Sequence, residues 1–263
     1  MKLQEMMLIV AKLVQEVYDG TTTALGGTTY AYDTAMSKQN DYFKGGTIWI
    51  TSGTYSGHVA LVTFQDGEGK IMFTPATAGA IAAGVSFSIA PALFNRSMLK
   101  IACNLAMIEE NYMMKDDSLT TVADQEEYSL PTNVKNIRRV QIASATSSPY
   151  KWINNYGWEE INGTLVFDDW ATPDGTGYKI RLWYVGKPSE IAESTEINSG
   201  IDLEHMQWKA VEHSWRMVLE KHQKDIAIAP DLFNEAKANA EMARVKAGAV
   251  TILTRDPKLQ GDW

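Results

Sequence analysis

Residues 158–167 read Trp-Glu-Glu-Ile-Asn-Gly-Thr-Leu-Val-Phe and give the clearest structural signal in the chain. Asn162-Gly163 separates two short runs rich in apolar residues. A two-residue type I′ turn needs positive φ at both central positions, which Asn and Gly tolerate best. The stretch therefore predicts a β-hairpin that turns at Asn162-Gly163.

The residues around this hairpin also favour strands. In residues 178–185, Tyr178, Ile180, Leu182 and Tyr184 alternate with Lys179 and Arg181. Such a period of two is typical of a strand with one buried face. We therefore assign residues 128–200 to a β-rich insertion that contains the hairpin.

A second β-rich segment precedes it, over residues 21–93. Short β-branched or aromatic runs are separated here by glycine, and Asp66-Gly67 is typical of a tight turn. The predicted strands are residues 47–50, 58–64, 70–73 and 85–89.

Helical periodicity marks the N-terminal and central segments. The first stripe of apolar residues consists of Leu3, Met6, Met7, Val10, Leu13, Val14 and Val17, and the second of Met98, Ile101, Leu105, Ile108 and Tyr112. The i, i+3, i+4, i+7 spacing predicts an amphipathic helix over residues 2–18. The second stripe predicts a helix after Asn95, whose side chain suits an N-cap.

The last third of the chain predicts two more helices. One begins after Asp202, and the other opens at Pro230, which suits the first turn because its missing N–H needs no partner there. A stripe of small residues, which would let another helix approach closely, consists of Ala236, Ala240, Ala243 and Ala247. We expect Gly248 to end this helix and residues 249–263 to form an extended C-terminal tail.

These elements predict an α+β fold. Helices drawn from the N-terminal, central and C-terminal parts of the chain form a helical bundle, and small β units are inserted between them. The bundle comprises residues 1–20, 94–127 and 201–248.

Composition limits the possible functions. The 263 residues include 24 Lys and Arg and 32 Asp and Glu, which gives a net charge of −8. This sign argues against a broad nucleic-acid-binding face, since such faces neutralise phosphates. The single cysteine, Cys103, forms no internal disulfide and is expected in the core. The short apolar run at residues 6–11 falls below the length of a signal peptide or membrane span, so we expect no membrane association.

Motifs for catalysis or metal binding are weak throughout the sequence. The four histidines, His58, His205, His213 and His222, share no helical face. Residues 79–84 have the glycine spacing of a phosphate loop but lack its lysine. Asp168, Asp169 and Asp174 resemble a calcium loop in composition and not in spacing. We predict no enzyme activity, no catalytic residue, no metal site and no cofactor.

Two other groups of residues leave alternatives open. The acidic pairs Glu109-Glu110, Asp116-Asp117 and Glu126-Glu127 suit a solvated surface, a contact with a basic partner, or the paired carboxylates of a glycoside hydrolase. The aromatic residues near the hairpin are Trp152, Tyr156, Trp158 and Trp170. They suit either the core of a small β unit or a platform on which sugars stack.

Several segments together resemble a family of viral proteins. The first holds Tyr128-Ser-Leu-Pro131 within residues 116–134, and the others are residues 96–106, 149–152, 163–167 and 180–184. The combination resembles the head-to-tail adaptor (connector, neck) proteins of tailed bacteriophages, over about residues 94–225.

The resemblance implies a structural protein of the virion. Family members form a ring, usually dodecameric, that docks under the portal protein and contacts a downstream neck or tail protein. DNA would pass through the lumen without specific binding, because the negative charge of the ring repels phosphates. The protein would be made in the bacterial host cytoplasm and reside in the virion at the head-tail interface. Another neck or tail role, or a carbohydrate-binding adhesion module, is the alternative.

The same resemblance directs attention to the C-terminal tail, because some family members insert theirs into the portal. Apolar residues in a tail must be buried or remain exposed. The candidates for partner contact are Ile252, Leu253, Leu259 and Trp263.

Overall fold

The computed structural model describes residues 1–36, 38–222 and 229–253, and it gives only the backbone for residues 221, 222, 229 and 247–253. The chain divides into two compact units. Unit 1 comprises Met1–Ala106, Glu190–Ile197 and the described residues from Leu203 onward, and unit 2 comprises Met107–Ser189 and Asn198–Asp202.

Unit 1 contains a six-stranded antiparallel sheet that curls into a half-barrel. Its strand order is β1-β6-β3-β4-β5-β2. The strands are β1 (Tyr18–Thr21), β2 (Tyr30–Tyr32), β3 (Thr47–Ile50), β4 (Val59–Gln65), β5 (Lys70–Thr74) and β6 (Ser86–Ala90). The four strands predicted in this segment are present within one residue of their expected positions, and β1 and β2 are additional.

The sheet of unit 1 encloses an apolar core. Ile48 on β3 lies opposite Ala60 on β4 and Ile89 on β6, and all three side chains are fully buried. Large aromatic side chains, Phe73 and Phe87 among them, fill the same cluster. Every residue of β3 is buried, so this central strand is covered on both faces.

Four α-helices occur in the described residues, and all of them lie wholly or mainly in unit 1. They are α1 (Leu3–Val14), α2 (Arg96–Ile108), α3 (Leu203–His222) and α4 (Ala229–Leu253). The predicted N-cap of α2 is confirmed, because Oδ1 of Asn95 accepts a hydrogen bond from the backbone N–H of Met98 at 3.1 Å.

Helix α3 packs against both α1 and α4. The small-residue stripe of α4 faces this contact, since Ala236, Ala240 and Ala243 are almost fully buried. The two backbones approach closely enough for Nδ1 of His205 to lie 3.0 Å from the carbonyl oxygen of Ala240.

Unit 2 consists mainly of two small antiparallel sheets. One has the order β10-β9-β13-β7 and the other the order β11-β12-β8. The strands are β7 (Tyr112–Thr120), β8 (Glu127–Ser129), β9 (Ile137–Ala143), β10 (Trp152–Asn155), β11 (Trp158–Ile161), β12 (Thr164–Phe167) and β13 (Lys179–Gly186).

The predicted hairpin is confirmed as β11 and β12. Ile161 pairs with Thr164 across the turn. Asn162 and Gly163 have φ values of 49° and 80°, as the type I′ turn requires.

The predicted helical-bundle fold is wrong. The described residues hold thirteen strands in three sheets and only four helices, so the protein is mostly β. The apolar core of the half-barrel is built by strands and the loops between them, and it contains no helical residue. Periodicity located the helices, with errors at their ends, but gave no measure of how much core the strands would supply.

Three segment boundaries also differ from expectation. The first helix, predicted over residues 2–18, ends at Val14, and β1 begins at Tyr18. Tyr112, predicted to lie on a helical face with Ile108, is instead the first residue of β7. Tyr112 and Met114 are buried, Met113 between them is half-exposed, and the strand pairs with β13. A spacing of four residues, as between Ile108 and Tyr112, fits both the helical period of 3.6 and the strand period of two. The pairing of Tyr112 with β13 favours the strand. At the C-terminal end, α4 continues through Gly248 to Leu253, so residues 249–253 are helical and not extended.

Candidate interaction surface

The four-stranded sheet of unit 2 has one buried face and one outward face. Along β13, Ile180, Leu182 and Tyr184 are buried, and the residues between them are half-exposed. Cross-strand pairing places Arg139 and Lys115 beside Trp183 on the outward face. The outward residues are Lys115, Asp117, Arg139, Gln141, Trp152, Asn154, Lys179, Arg181 and Trp183. We call this set the cationic face.

Arg181 organises the middle of the cationic face. Its Nε and one terminal nitrogen donate to the two carboxylate oxygens of Asp117 at 2.8 and 2.7 Å. The guanidinium carbon lies 3.7 Å from the ring centroid of Trp152, so the planar group also stacks on the indole. Arg181 therefore fixes the rotamers of residues on β7 and β10 at once.

A ladder of hydrogen bonds crosses the same face. Nε1 of Trp183 donates to Gln141 at 2.9 Å, and the amide of Gln141 donates to Oδ1 of Asn154 at 2.9 Å. The amide of Asn154 in turn donates to the hydroxyl of Tyr156 at 3.0 Å. Three consecutive hydrogen bonds therefore link Trp183 on β13 to Tyr156 beyond β10.

The aromatic residues predicted near the hairpin occupy different environments. Trp152 lies on the cationic face, and Trp158 pairs with Phe167 across β11 and β12. Trp170 is 74% exposed, and its ring lies against Gly157, where a Cβ would come within 2.6 Å of it. Trp170 and Tyr156 are therefore accessible for contact, whereas the rings of Trp152 and Trp158 are half-buried.

The three-stranded sheet and the loops next to it form a contrasting surface. Residues 122–131 and 157–169 contain no Lys or Arg. Their carboxylates are all exposed: Asp124, Glu126, Glu127, Glu159, Glu160, Asp168 and Asp169. Glu127 and Glu159 both lie opposite Val166 in the sheet, and so they share one face. Glu160 lies opposite Leu165 on the other face, and its Oε2 accepts a hydrogen bond from the backbone N–H of Ile137 at 3.0 Å.

Unit 1 holds an open cavity of about 650 Å³ beside β1, which the sequence analysis missed. The Tyr18 hydroxyl donates to Oδ2 of the buried Asp33 at 2.8 Å, and Lys12 pairs with Asp19 at 2.8 Å. Burial, and then the hydrogen bond to Asp33, raise the pKa of Tyr18 to about 12. Hydroxyl groups line much of the remainder, including Thr51 and Ser86. No sequence spacing could reveal this site, since α1, β1 and β6 meet only in the fold.

The other predicted residues fall outside any reactive cluster. Cys103 is fully buried as expected, and burial raises the pKa of its thiol, which disfavours the reactive thiolate. Within the described ranges, no three His, Cys, Asp or Glu side chains converge in a way that could hold a metal ion. Asp168, Asp169 and Asp174 therefore form no such group.

The four candidates for partner contact lie at the limit of the described chain. Ile252 and Leu253 belong to the last turn of α4, where only the backbone is described. Leu259 and Trp263 lie outside the described residues.

None of the described helices is long and apolar enough to cross a membrane. No protein-family model matches the chain. No curated protein matches it either.

Proposed function

We propose that the protein is a virion structural protein of a tailed bacteriophage, a head-to-tail adaptor that assembles with copies of itself into a ring. The resemblance over residues 94–225 supports this proposal, and β11, β12 and β13 of unit 2 lie within that segment. The portal protein and a downstream neck or tail protein would bind the ring on its two sides. The genome would pass through the lumen.

The observation that carries the proposal is the exposed apolar surface of unit 2. Trp170 is 74% exposed and Ile153 is 56% exposed, and Tyr156 and Ile161 are each more than two-fifths exposed. Contiguous exposed apolar area is typical of a protein contact, and the proposal assigns these four side chains to one such contact. Aromatic side chains are also enriched at such contacts.

Electrostatics supports the same role. The net charge of −8 would keep the lumen from binding DNA tightly, because like charges repel. Because the fold is mostly β, the sheets and loops that expose most of these apolar side chains would form the contacts between the copies of the ring.

The mass of the purified protein in solution tests this proposal. Light scattering and native mass spectrometry should show a closed ring, either for the protein alone or after mixing with virion fractions. Trp170→Ser combined with Ile161→Ser should weaken ring formation, and Leu25→Ser, at an exposed apolar site of unit 1, is the matched control. A chain that stays monomeric and is absent from particles would refute the proposal.

A carbohydrate-binding module is the second candidate, because the exposed Tyr156 lies beside the amide of Asn154 and the exposed ring of Trp170 lies against Gly157. Sugars bind where an aromatic face adjoins hydrogen-bonding groups. Glycan binding by a monomer, lost in Trp170→Ala and retained in Leu25→Ala, would favour this candidate over the adaptor.

A further inference from the structure

We propose that the open cavity beside β1 in unit 1 binds a neutral sugar, a single monosaccharide unit with adjacent hydroxyl groups. This inference goes beyond the adaptor proposal and does not depend on it. The site lies in unit 1, whereas the exposed Trp170 belongs to unit 2.

Three hydroxyl-bearing residues form a row across the outer face of the six-stranded sheet. Thr21 on β1 lies opposite Ser86 on β6. Thr51 follows β3, and its backbone N–H donates to the carbonyl oxygen of Ser86 at 2.9 Å. Phe87, the next residue on β6, is part of the apolar core, so the side chain of Ser86 points away from that core. Adjacent strands lie about 4.8 Å apart, so the three residues follow one another at about that spacing.

The hydroxyls of this row are available to a ligand. All three residues line the cavity, Thr21 and Thr51 are exposed, and Ser86 is half-buried. Within the described ranges, none of the three hydroxyls is hydrogen-bonded to another residue. A hydroxyl can donate one hydrogen bond and accept two. The row can therefore exchange hydrogen bonds with several hydroxyls of one sugar ring.

Two carboxyl groups beside the row supply further acceptors. Oδ2 of Asp19 accepts a hydrogen bond from Lys12 at 2.8 Å, and its other oxygen accepts from the hydroxyl of Ser88. Oδ2 of the buried Asp33 accepts from the Tyr18 hydroxyl at 2.8 Å. A carboxylate oxygen can accept a second hydrogen bond. Since these partners already hold both groups in place, a ligand would bind with little further loss of side-chain entropy.

Gly20 provides the space that brings Asp33 to the edge of β1. A Cβ at this position would lie 2.5 Å from Oδ2 of Asp33 and 2.7 Å from the ring of Phe87. The carboxyl group of Asp33 can therefore reach the cavity only because residue 20 has no side chain.

The composition of the cavity favours a neutral ligand. Lys12 is the one basic residue among the described residues that line it, and Asp19 and Asp33 are acidic. A charged ligand of either sign would therefore meet a like charge, which disfavours its binding. Leu8 and the ring of Tyr18 supply apolar surface against which the C–H groups of a sugar can pack. The volume of about 650 Å³ also lies within the range of about 300–1,000 Å³ that is typical of ligand pockets.

A titration followed by saturation-transfer NMR tests the inference. The probes are the methyl glycosides of glucose, mannose and galactose, and we expect at least one of them to bind. Thr21→Val combined with Thr51→Val should weaken this binding by at least roughly tenfold, because valine has the shape of threonine but lacks its hydroxyl.

The matched control is Thr63→Val combined with Thr74→Val. It removes two exposed hydroxyls from β4 and β5 of the same sheet, and neither residue lines the cavity. This variant should bind like the wild type. Circular dichroism should show that both double variants are folded.

Further probes define the ligand. The uronic acid and the amino sugar that correspond to the bound glycoside should both bind more weakly than the glycoside itself. An oligosaccharide of the same sugar distinguishes the two sources of such a ligand. Equal binding would indicate the terminal unit of a polysaccharide, and weaker binding would indicate a free monosaccharide.

Three results would overturn the inference. The first is the absence of saturation transfer to all three glycosides, and the second is binding that Thr21→Val with Thr51→Val leaves unchanged. The third is binding that is lost in Trp170→Ala and retained in that double variant, which would assign the sugar to unit 2. The mass of the protein in solution tests the adaptor proposal separately, so either proposal can fail while the other stands.

Discussion

The six-stranded sheet of unit 1 and the four-stranded sheet of unit 2 are both antiparallel, yet their faces differ. In unit 1, β3 is buried on both faces, and its side chains include Ile48, Trp49 and Ile50. In unit 2, β13 buries every second residue and presents Arg181 and Trp183 on the other face. The central strand β3 therefore belongs wholly to the core, whereas β13 is half core and half surface.

This difference shows how one chain can separate stability from recognition. A strand that is buried on both faces contributes mainly apolar burial, which is the largest favourable term in folding. A sheet with one outward face can carry charges and aromatic rings at little cost, provided that they pair with one another. The Arg181–Asp117 and Gln141–Asn154 pairs meet that condition.

Removing a ring from the core of unit 1 should have the largest effect. Phe87 is 1% exposed, and Phe87→Ala removes its burial and leaves a cavity, so we expect a loss of about 3 to 5 kcal/mol in the free energy of unfolding. Urea denaturation followed by circular dichroism measures it. Leu25→Ala, at a site 67% exposed, should change stability by under about 0.5 kcal/mol. Equal effects of the two substitutions would contradict the description of this sheet as a core.

A buried charge in the helices of unit 1 should be the next most sensitive site. Glu212 is 2% exposed, and its two oxygens accept hydrogen bonds from Lys209 and Arg216, each at 2.8 Å. Glu212→Gln should cost about 1 to 3 kcal/mol at neutral pH, because the charge-assisted bonds are lost. Denaturation of both proteins measures the difference. Glu220→Gln, at an exposed site on the same helix, is the control.

This effect should depend on pH. Burial by itself raises the pKa of Glu212, but Lys209 and Arg216 outweigh it and lower the pKa below its ordinary value of 4.5. The stabilisation by ionised Glu212 is thus fully present above the pKa of the unfolded chain and is lost as the pH falls through the lowered pKa of the folded protein. The gap between wild type and Glu212→Gln should shrink in acid. A gap that stays constant would show that the charge is not responsible.

On the outward face of unit 2, Arg181→Ala should have a moderate effect. The substitution removes the bidentate pair with Asp117 and the stack on Trp152, and we expect a loss of about 1 to 2 kcal/mol. Urea denaturation measures the loss, with Arg138→Ala as the exposed control. A loss as large as that of Phe87→Ala would show that this face is part of the core and would contradict its description as an outward face.

The smallest effect is expected in the β11–β12 turn. Asn162 has a φ of 49°, which Asn adopts more readily than Ala. Asn162→Ala should therefore lower the free energy of unfolding by about 1 kcal/mol, measured as a lower thermal midpoint. Asn133→Ala should lower it less, because Asn133 does not have a positive φ. If Asn162→Ala were neutral, the turn would not define the register of this hairpin.

Local sequence determined much of the secondary structure. Asn162-Gly163 specified the hairpin because its backbone conformation is available to few other residues, and Asn95 specified the start of α2 through its side chain. The stripes of α1 and of the α3–α4 contact followed from helical spacing. Such signals depend on only a few neighbouring residues, so they can be recognised without knowledge of the fold.

Tertiary structure decided the remainder. It turned Tyr112 from a helical position into the first residue of β7, continued α4 through Gly248, and made strands rather than helices the basis of the fold. It also gathered Lys115, Arg139 and Arg181, from three strands, onto one face. The physical reason is that pairing between distant strands and the burial that follows outweigh local preference, and the partners in that pairing are separated by tens of residues in the sequence.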